Sequence, residues 1–348
     1  MPQPTAGTAT TSTVTVSTSG GMTITVTSDG FITVDPPVVP PVTPPPVTPP
    51  PVAGASTTIV FDDFTGEAGS LPNPAYWNAI NTTSGPQNPE AFGGGDQEQY
   101  LTGMVALDGT TNLIFTVGAQ GTFGADAGYW PAPRVDSLHA PGQFCDGVFA
   151  THGSTPKVAV LPGQSVEFSA RTTPLEGLWP ALWFTCPGTA GGTYPGDYYE
   201  FDLMESGLNG LPAITRSTAW GPGASAQQNL SAKTGGSGPA FGLGDGNYHT
   251  YRLDYFTDHL SAYIDGNLQY TITQAQVNAA YGAQTGIHAQ FGGQEWPYSQ
   301  PNEGLGIVMN CAVNQSVVGS TPPAGSLPHE VMAVDWVRVY SPAGPYIA

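Results

Sequence analysis

Three acidic residues lie close together in the segment Glu200-Phe-Asp-Leu-Met-Glu205. Because the side chains of a β-strand alternate between its two faces, Glu200 and Asp202 fall on one face and the neighbouring apolar residues fall on the other. Glu205 has the wrong parity for the acidic face, and a β-bulge near Met204 would add the one residue that brings it there. The segment therefore predicts a strand with three acids along one side and apolar packing on the other.

Two carboxylates held side by side suit the hydrolysis of a glycosidic bond with retention at the anomeric carbon. One carboxylate attacks that carbon, while the other protonates the leaving oxygen and later activates a water molecule. Asp202, between the two glutamates, would interact with both and raise the pKa of the acid partner. The alternative is an acidic strand that faces solvent, and the motif by itself leaves both interpretations open.

Two tryptophans precede the acids in the segment Gly177-Leu-Trp-Pro-Ala-Leu-Trp183. Trp179 and Trp183 have the same parity and share a face if the segment is extended, whereas Pro180 favours an edge strand or a locally irregular one. Sugar rings present C–H groups that stack on flat aromatic faces, so paired tryptophans beside paired carboxylates are typical of a carbohydrate site. Without the acids, a tryptophan-rich core would be the preferred interpretation.

The elements that must position these side chains are short strands. Only 9% of the 348 residues are charged, 10% are aromatic and 46 are Gly, a composition typical of strands joined by tight turns. Turns are predicted at Asp108-Gly109 and Asp265-Gly266, and residues 273–281 are the one short helical candidate. These features predict an all-β sandwich or jelly roll over residues 57–348. Its predicted strands are 57–61, 112–117, 165–170, 198–204, 249–255, 261–264, 306–312 and 332–340.

A separate β segment and a linker precede this domain. Residues 1–35 alternate Val or Ile with Thr around Gly-Gly and Asp-Gly turns, which predicts a small β-meander. Two or three such strands are only marginally stable alone, so we expect residues 1–35 to anchor or oligomerise the protein against another chain. Residues 36–56 are rich in Pro and are expected to form a polyproline II linker.

Composition excludes several classes of function. Seven basic and 26 acidic residues give a formal net charge of −19, which argues against a nucleic-acid partner. No stretch is long and apolar enough to span a bilayer, and the first residues lack the basic and apolar regions of a secretory signal. The six His residues show no paired metal-ligand spacing.

The three cysteines, Cys145, Cys186 and Cys311, allow at most one intrachain disulfide and lie too far apart for a zinc motif. Buried thiols that act as small apolar groups are the favoured interpretation, and the disulfide state stays open.

Several segments, taken together and in order, resemble glycoside hydrolase family 16, the laminarinase and lichenase group. The resemblance covers about residues 59–341 and implies a concanavalin-like β-jelly roll of two curved antiparallel sheets. In addition to the tryptophan and acid segments, the matching segments include Phe61-Asp-Asp-Phe-Thr-Gly, Gln99-Tyr-Leu-Thr, Tyr248-His-Thr-Tyr-Arg-Leu-Asp254 and Val334-Asp-Trp-Val-Arg-Val-Tyr340.

The resemblance implies roles for particular residues. It implies Glu200 as the nucleophile, Asp202 as its partner and Glu205 as the general acid/base, with no cofactor required for catalysis. It also implies a set of residues that line the substrate cleft, namely Trp179, Trp183, Gln99, Arg134, Trp220 and Asn310.

Three further positions either allow a second interpretation or depart from the family pattern. Asp335 matches an Asp that helps to hold a structural Ca²⁺ in many members, although an ordinary strand Asp is an equally good interpretation. Tyr199 replaces the usual Gly before the first Glu, and Trp220 stands where the family usually has a cleft His. These departures put the substrate in question more than the chemistry, because the acids are intact.

The leading hypothesis is a retaining endo-glycosidase that acts on a β-linked polysaccharide, either a β-1,3- or mixed-linked glucan or a glycan of a host cell envelope. The alternative is a non-catalytic carbohydrate-binding protein, such as a virion decoration or an adhesion protein, although a pure binder has no need of a nucleophile.

A third hypothesis concerns location. A β-meander followed by a rigid spacer would suit the display of an enzyme on a bacteriophage tail or capsid. We therefore expect residues 1–35 to contact virion structural proteins at the virion surface, with an extracellular enzyme as the alternative.

Overall fold

The structure of the protein is a computed structural model that describes residues 13–17, 23–27, 32–35, 56–81, 97–137, 157–173, 175–186, 199–207, 215–220, 244–273, 304–323 and 325–342. The chain divides into two compact units, Met1–Pro51 and Val52–Ala348. Apart from its last residue, the predicted linker 36–56 lies outside the described residues, and the predicted domain boundaries 1–35, 36–56 and 57–348 stay predictions.

The first unit contains three strands, β1 (Thr13–Ser17), β2 (Thr23–Thr27) and β3 (Ile32–Asp35), which pair antiparallel in chain order. Val14 lies opposite Val26, which in turn lies opposite Ile32. Aliphatic positions therefore line one face of this sheet and Thr positions line the other. The alternating Val/Thr pattern thus forms the expected meander.

Within the described residues, the second unit is built almost wholly from strands. A 3₁₀ turn covers Thr102–Met104 and a one-turn helix, α1, covers Gln315–Val318. The strands are β4 (Thr57–Asp62), β5 (Asn78–Ala79), β6 (Glu98–Tyr100), β7 (Val105–Leu107), β8 (Leu113–Val117), β9 (Trp130–Ala132), β10 (Arg134–Asp136), β11 (Ala159–Val160), β12 (Gln164–Thr172), β13 (Trp179–Cys186), β14 (Tyr199–Ser206), β15 (Thr215–Trp220), β16 (His249–Tyr255), β17 (His259–Ile264), β18 (Asn267–Thr273), β19 (Leu305–Ala312) and β20 (His329–Ser341).

Two antiparallel sheets contain most of these strands. The site sheet has the order β15-β14-β13-β19-β10-β5, with β11 also paired to β19. The back sheet has the order β18-β17-β16-β12-β20-β8-β7, with β4 also paired to β20. A separate two-stranded pair, β6 with β9, is parallel.

The two sheets share one apolar core, which follows from the period-two pattern of their sequences. In β12, Val166 and Phe168 are fully buried in the core, and the polar residues that alternate with them belong to the opposite face. Phe168 of the back sheet packs on Phe184 of the site sheet with ring centroids 6.0 Å apart, and Phe184 packs on Phe201 at 6.4 Å. Each such burial is worth about 1.5–3 kcal/mol relative to exposure, so the acidic strand is fixed from behind by aromatic packing.

The eight strands predicted for this unit are present, with ends that differ by up to three residues. The Asp265-Gly266 turn is also confirmed: both residues have positive φ values, 51° and 74°, as a tight hairpin turn between β17 and β18 requires. Of the helical candidate 273–281, Thr273 is the last residue of β18, and the rest lies outside the described residues. In the part of the chain described above, no helix has the length and apolar character needed to cross a membrane.

Candidate active site

Strand β14 carries the acidic segment and contains a bulge. Asp202 and Met204 lie opposite consecutive residues of β13, so β14 has one more residue than its neighbour at this point. The pairing with β15 also shifts register between Asp202 and Glu205. Leu203 and Met204 are consecutive, yet both are fully buried in the core. Glu205 therefore falls on the face of Asp202, and the predicted bulge near Met204 is confirmed.

Glu205 is oriented by an aromatic neighbour. Its side chain is only 3% exposed, and the indole Nε1 of Trp179 donates a hydrogen bond to its Oε1 over 3.1 Å. The Trp179 ring itself packs with Ala312 and with Val318 of α1. The carboxyl of Glu205 is thus held by a ring that has little freedom of its own.

The other two acids follow the register of the same strand. Asp202 is 4% exposed and lies opposite Trp183 of β13. Glu200 lies opposite Thr185 on one side and Trp220 on the other, two residues before Asp202, so the register places it on the same face. The side chains of Glu200 and Trp220 lie outside the described residues, and the roles assigned to both stay predictions.

A chain of hydrogen bonds connects Trp183 with Glu98 through Asn310 and Tyr100. Nε1 of Trp183 donates to Oδ1 of Asn310 over 2.8 Å, and Nδ2 of Asn310 donates to the Tyr100 hydroxyl over 2.9 Å. The Tyr100 hydroxyl donates to Oε1 of Glu98 over 3.2 Å. Strands β13, β19 and β6 thus bring the predicted pair Trp183 and Asn310 into contact, together with two residues that sequence analysis had not singled out.

Arg134 completes this group. Its guanidinium carbon lies 5.7 Å from the ring centroids of both Tyr100 and Trp183, and its Nη2 lies 3.6 Å from Oδ2 of Asp136. Asp136 also accepts a hydrogen bond from Nδ2 of Asn78 over 3.0 Å. Arg134 is 2% exposed, so the carboxylate and the two aromatic faces compensate a buried positive charge.

Gln99 forms a hydrogen bond with the loop that precedes β9. It is the central residue of β6 and has the opposite parity to its neighbours Glu98 and Tyr100. Its Oε1 accepts a hydrogen bond from the backbone N–H of Asp126 over 2.6 Å, so its role as a substrate-binding residue stays a prediction. The signal that could have identified Glu98 and Tyr100 is this parity, because the two residues that flank Gln99 share the other face of β6.

Pro180 belongs to an interior strand of the sheet. Strand β13 lies between β14 and β19, which corrects the interpretation of an edge strand. The ladder with β14 begins only at Ala181, so Pro180 faces just β19, where it lies opposite Cys311. The absence of an N–H group is tolerated at this end of the strand, and the register shift between Leu182 and Trp183 agrees with the alternative of a locally irregular strand.

Cys311 is a free thiol buried in the core beneath the site. Burial raises its pKa, which keeps the thiol neutral and is consistent with the role of a small apolar group. Cys145 and the side chain of Cys186 lie outside the described residues.

Asp335 lies on the back sheet, away from the acids of β14. Its oxygens accept hydrogen bonds from Thr111 at 3.0 Å and Ser169 at 3.4 Å. Burial raises the pKa of Asp335, and the carboxylates of Asp63 and Asp108 add to the rise.

No group of three or more His, Cys, Asp and Glu side chains in the described ranges is placed to hold a metal ion. The Ca²⁺ assignment to Asp335 stays a prediction, which melting temperatures measured with Ca²⁺ and with a chelator would test.

Comparison with known proteins gives one match in sequence. No family model matches this chain. A glucan endo-1,3-beta-glucosidase A1 of Niallia circulans is 29% identical over 181 residues, which are 50% of this chain and 24% of that protein. The match therefore spans about a quarter of the relative's length.

Comparison of structures gives the fold. An endo-β-1,3-glucanase of Pyrococcus furiosus superposes with a TM-score of 0.57 and 23% identity, over 82% of this chain and 94% of that one. An immunostimulatory antigen and pseudo β-1,3-glucanase of Mycobacterium tuberculosis superposes with a TM-score of 0.54 and 23% identity, over 82% and 99%. The predicted all-β jelly-roll sandwich of two antiparallel sheets is thereby confirmed.

Proposed function

We propose that this chain hydrolyses a β-linked polysaccharide as a retaining endo-glycosidase. The observation that carries the proposal is the bulge in β14, which turns Glu205 onto the face of Asp202 and within hydrogen-bond distance of Trp179. A solvated acidic strand needs no such device and would leave its acids exposed, whereas Asp202 and Glu205 are 4% and 3% exposed. Burying two neighbouring carboxylates costs free energy, and such arrangements are characteristic of functional sites.

The proposed reaction has two displacements. Glu200 attacks the anomeric carbon while Glu205 gives its proton to the departing glycosidic oxygen, so a glycosyl ester forms as the glycosidic bond breaks. Glu205, now a carboxylate, takes a proton from water, and the water oxygen displaces Glu200 from the anomeric carbon. Asp202 lies between them in the strand and stabilises the changing charge and proton on its neighbours.

The proposed substrate is a β-1,3- or mixed-linked glucan, with a glycan of a host cell envelope as the other candidate. Support comes from the names of the Niallia relative and of the Pyrococcus neighbour, both of which specify a β-1,3 linkage. In this proposal Trp183 offers a ring face to a sugar, since it is only half-buried, and Asn310 and Arg134 contact or orient the same unit.

Reducing ends released from β-1,3-glucan, mixed-linked glucan and galactan test the proposal. We expect the wild type to cleave at least one of these polymers and Glu200→Gln to lose the activity. Glu176→Gln is the matched control, because Glu176 is exposed and lies on a loop. Equal activity in the wild type and Glu200→Gln, or none on any β-glycan, would contradict the proposal.

The second candidate function is glycan binding without cleavage. It is favoured by the Mycobacterium neighbour, whose description as a pseudo β-1,3-glucanase means that the fold alone does not decide activity. Hits on a glycan array combined with unchanged polymer length after long incubation would support binding alone.

We also propose that residues 1–35 attach the enzyme to the structural proteins of a bacteriophage virion, at the particle surface. The support is the register of β1 to β3, which places aliphatic positions on one face of a sheet of three short strands, and so small a sheet is only marginally stable without further contacts. Deletion of residues 1–35 should abolish incorporation into particles while activity in solution persists. Normal incorporation of the truncated chain would refute this placement.

A further inference from the structure

We propose that Glu98 and Tyr100 are positioning residues that fix the ring of Trp183 for a sugar unit of the substrate. The inference deepens the proposed function and rests on it as far as the sugar is concerned. Both residues act through Asn310, which lies between them and the tryptophan.

The direction of this hydrogen-bond chain is determined by its two ends. An indole N–H can only donate, so the Asn310 atom that faces Trp183 must be the carbonyl Oδ1. The Asn310 amide Nδ2 then necessarily faces Tyr100, whose oxygen accepts from it. The single hydroxyl proton of Tyr100 is left for Glu98, and an ionised carboxylate can only accept. Turning the amide over would set two donors against each other at Trp183.

The carboxylate end of the chain is anchored in the backbone. Oε2 of Glu98 accepts hydrogen bonds from the N–H groups of Val313 at 3.0 Å and Gln97 at 3.3 Å, and Glu98 is 3% exposed. Val313 directly follows β19, which also carries Asn310. The same carboxylate therefore holds both the end of β19 and the hydroxyl that orients Asn310.

The rings of the chain are supported by packing. The Tyr100 ring lies in a buried apolar cluster with Ile80 and Ala132. The Arg134 guanidinium carbon lies 5.7 Å from the ring centroids of both Tyr100 and Trp183 and so contacts both rings. Trp183 in turn lies opposite Asp202, one of the site acids. A change at Glu98 or Tyr100 is thereby transmitted to a ring beside the acids.

The test compares Tyr100→Phe and Glu98→Gln with the wild type. Tyr100→Phe removes only the hydroxyl and keeps the ring. Glu98→Gln replaces one acceptor oxygen by an NH₂ donor. Because the two oxygens of Glu98 accept from the Tyr100 hydroxyl and from the Val313 N–H, one of these two hydrogen bonds is lost. Tyr251→Phe, at a buried tyrosine of the back sheet, is the matched control.

The first readout does not depend on catalysis. The indole N–H resonance of Trp183, identified by its loss in Trp183→Phe, should shift and exchange faster with solvent in both variants and stay unchanged in Tyr251→Phe. The second readout is kinetic: KM on the best glucan should rise about tenfold with kcat within about twofold, the pattern of lost substrate binding.

The outcomes separate the two proposals. If the wild type neither binds nor cleaves any glucan, the proposed function fails, and an unshifted resonance would then reject the hydrogen-bond chain as well. If the wild type is active and either the resonance or KM is unchanged in both variants, the positioning role is overturned. Should one variant fail to fold, the other provides both readouts.

Discussion

The indole N–H of Trp179 donates to Oε1 of Glu205 over 3.1 Å, across two neighbouring strands of the site sheet. An indole nitrogen cannot accept a hydrogen bond, so Oε1 cannot direct a proton toward Trp179. The hydrogen bond therefore holds the carboxyl group of Glu205 in one orientation relative to β13. In the proposed function Glu205 is the general acid, and a carboxyl group held in one orientation meets the geometric condition that proton transfer to a substrate requires.

Trp179→Phe should lower kcat about tenfold. The substitution keeps an aromatic ring against Ala312 and Val318 and removes the hydrogen bond to Glu205, worth about 1.5 kcal/mol when the acceptor is charged. The measurement is steady-state hydrolysis of the best glucan. The control is Trp336→Phe, because the Trp336 indole N–H has no hydrogen-bond partner among the described residues. A kcat that falls equally in both variants would assign the loss to packing rather than to Glu205.

The first-formed product should have the β configuration at its new reducing end. Two successive displacements at the anomeric carbon restore the original geometry, which is the outcome expected when Glu200 is a nucleophile rather than a base. Proton NMR during the first minutes of hydrolysis, before mutarotation mixes the anomers, measures it directly. Initial release of the α anomer would exclude the covalent intermediate and the role assigned to Glu200.

Gly207→Ala should disrupt the end of β14 and abolish activity. Gly207 has φ +85°, and a Cβ atom there would lie 1.9 Å from the carbonyl oxygen of Leu178, beside Trp179. We expect a loss of more than about 3 kcal/mol in the free energy of unfolding. Gly266→Ala is the control, since Gly266 has a similar φ of +74° but nothing within 4 Å of its Cβ position, and it should cost only about 1–2 kcal/mol. Similar urea midpoints for the two variants would show that the close approach to Leu178 is unimportant.

Asp108→Asn should destabilise the protein at neutral pH and lose its effect in acid. Burial alone would raise the pKa of Asp108, but hydrogen bonds from Asn112 and Thr110 outweigh it and lower the pKa. A lowered pKa in the folded state means that the stabilisation is present above the ordinary carboxyl pKa and is lost as pH falls through the folded value.

The measurement is the free energy of unfolding from pH 7 downward. We expect Asp108→Asn to cost about 1 kcal/mol at pH 7, given its exposure to solvent, and the gap to the wild type to close in acid. Glu67→Gln, at another exposed acid, should show no such gap. If the difference in the free energy of unfolding between the wild type and Asp108→Asn stayed constant in acid, the ionised carboxylate would not be its cause.

The local sequence pattern was sufficient to predict much of the secondary structure of this protein. The alternation of apolar and polar residues predicted the strands, because a period of two assigns each residue to a face without reference to its partner strand. The same alternation exposed the parity conflict at Glu205, so that a bulge near Met204 could be inferred before any pairing was known. Composition, strand spacing and turn residues predicted an all-β sandwich or jelly roll, and the family resemblance implied its two curved antiparallel sheets.

Only the tertiary structure decided which strands became neighbours. Tyr100 and Asn310 are 210 residues apart in the chain, and Trp183 and Asn310 are 127 apart, yet they form one hydrogen-bond chain. Sequence analysis did not predict β6 or single out Glu98 and Tyr100, and a strand pattern there would have carried no information about what their face meets. For the same reason, Pro180 left both an edge strand and a locally irregular strand open, and the pairing shows an irregular strand inside the sheet. The candidate acids lie within six consecutive residues, whereas the hydrogen bond that orients Glu205 comes from Trp179, which long-range pairing places on the neighbouring strand.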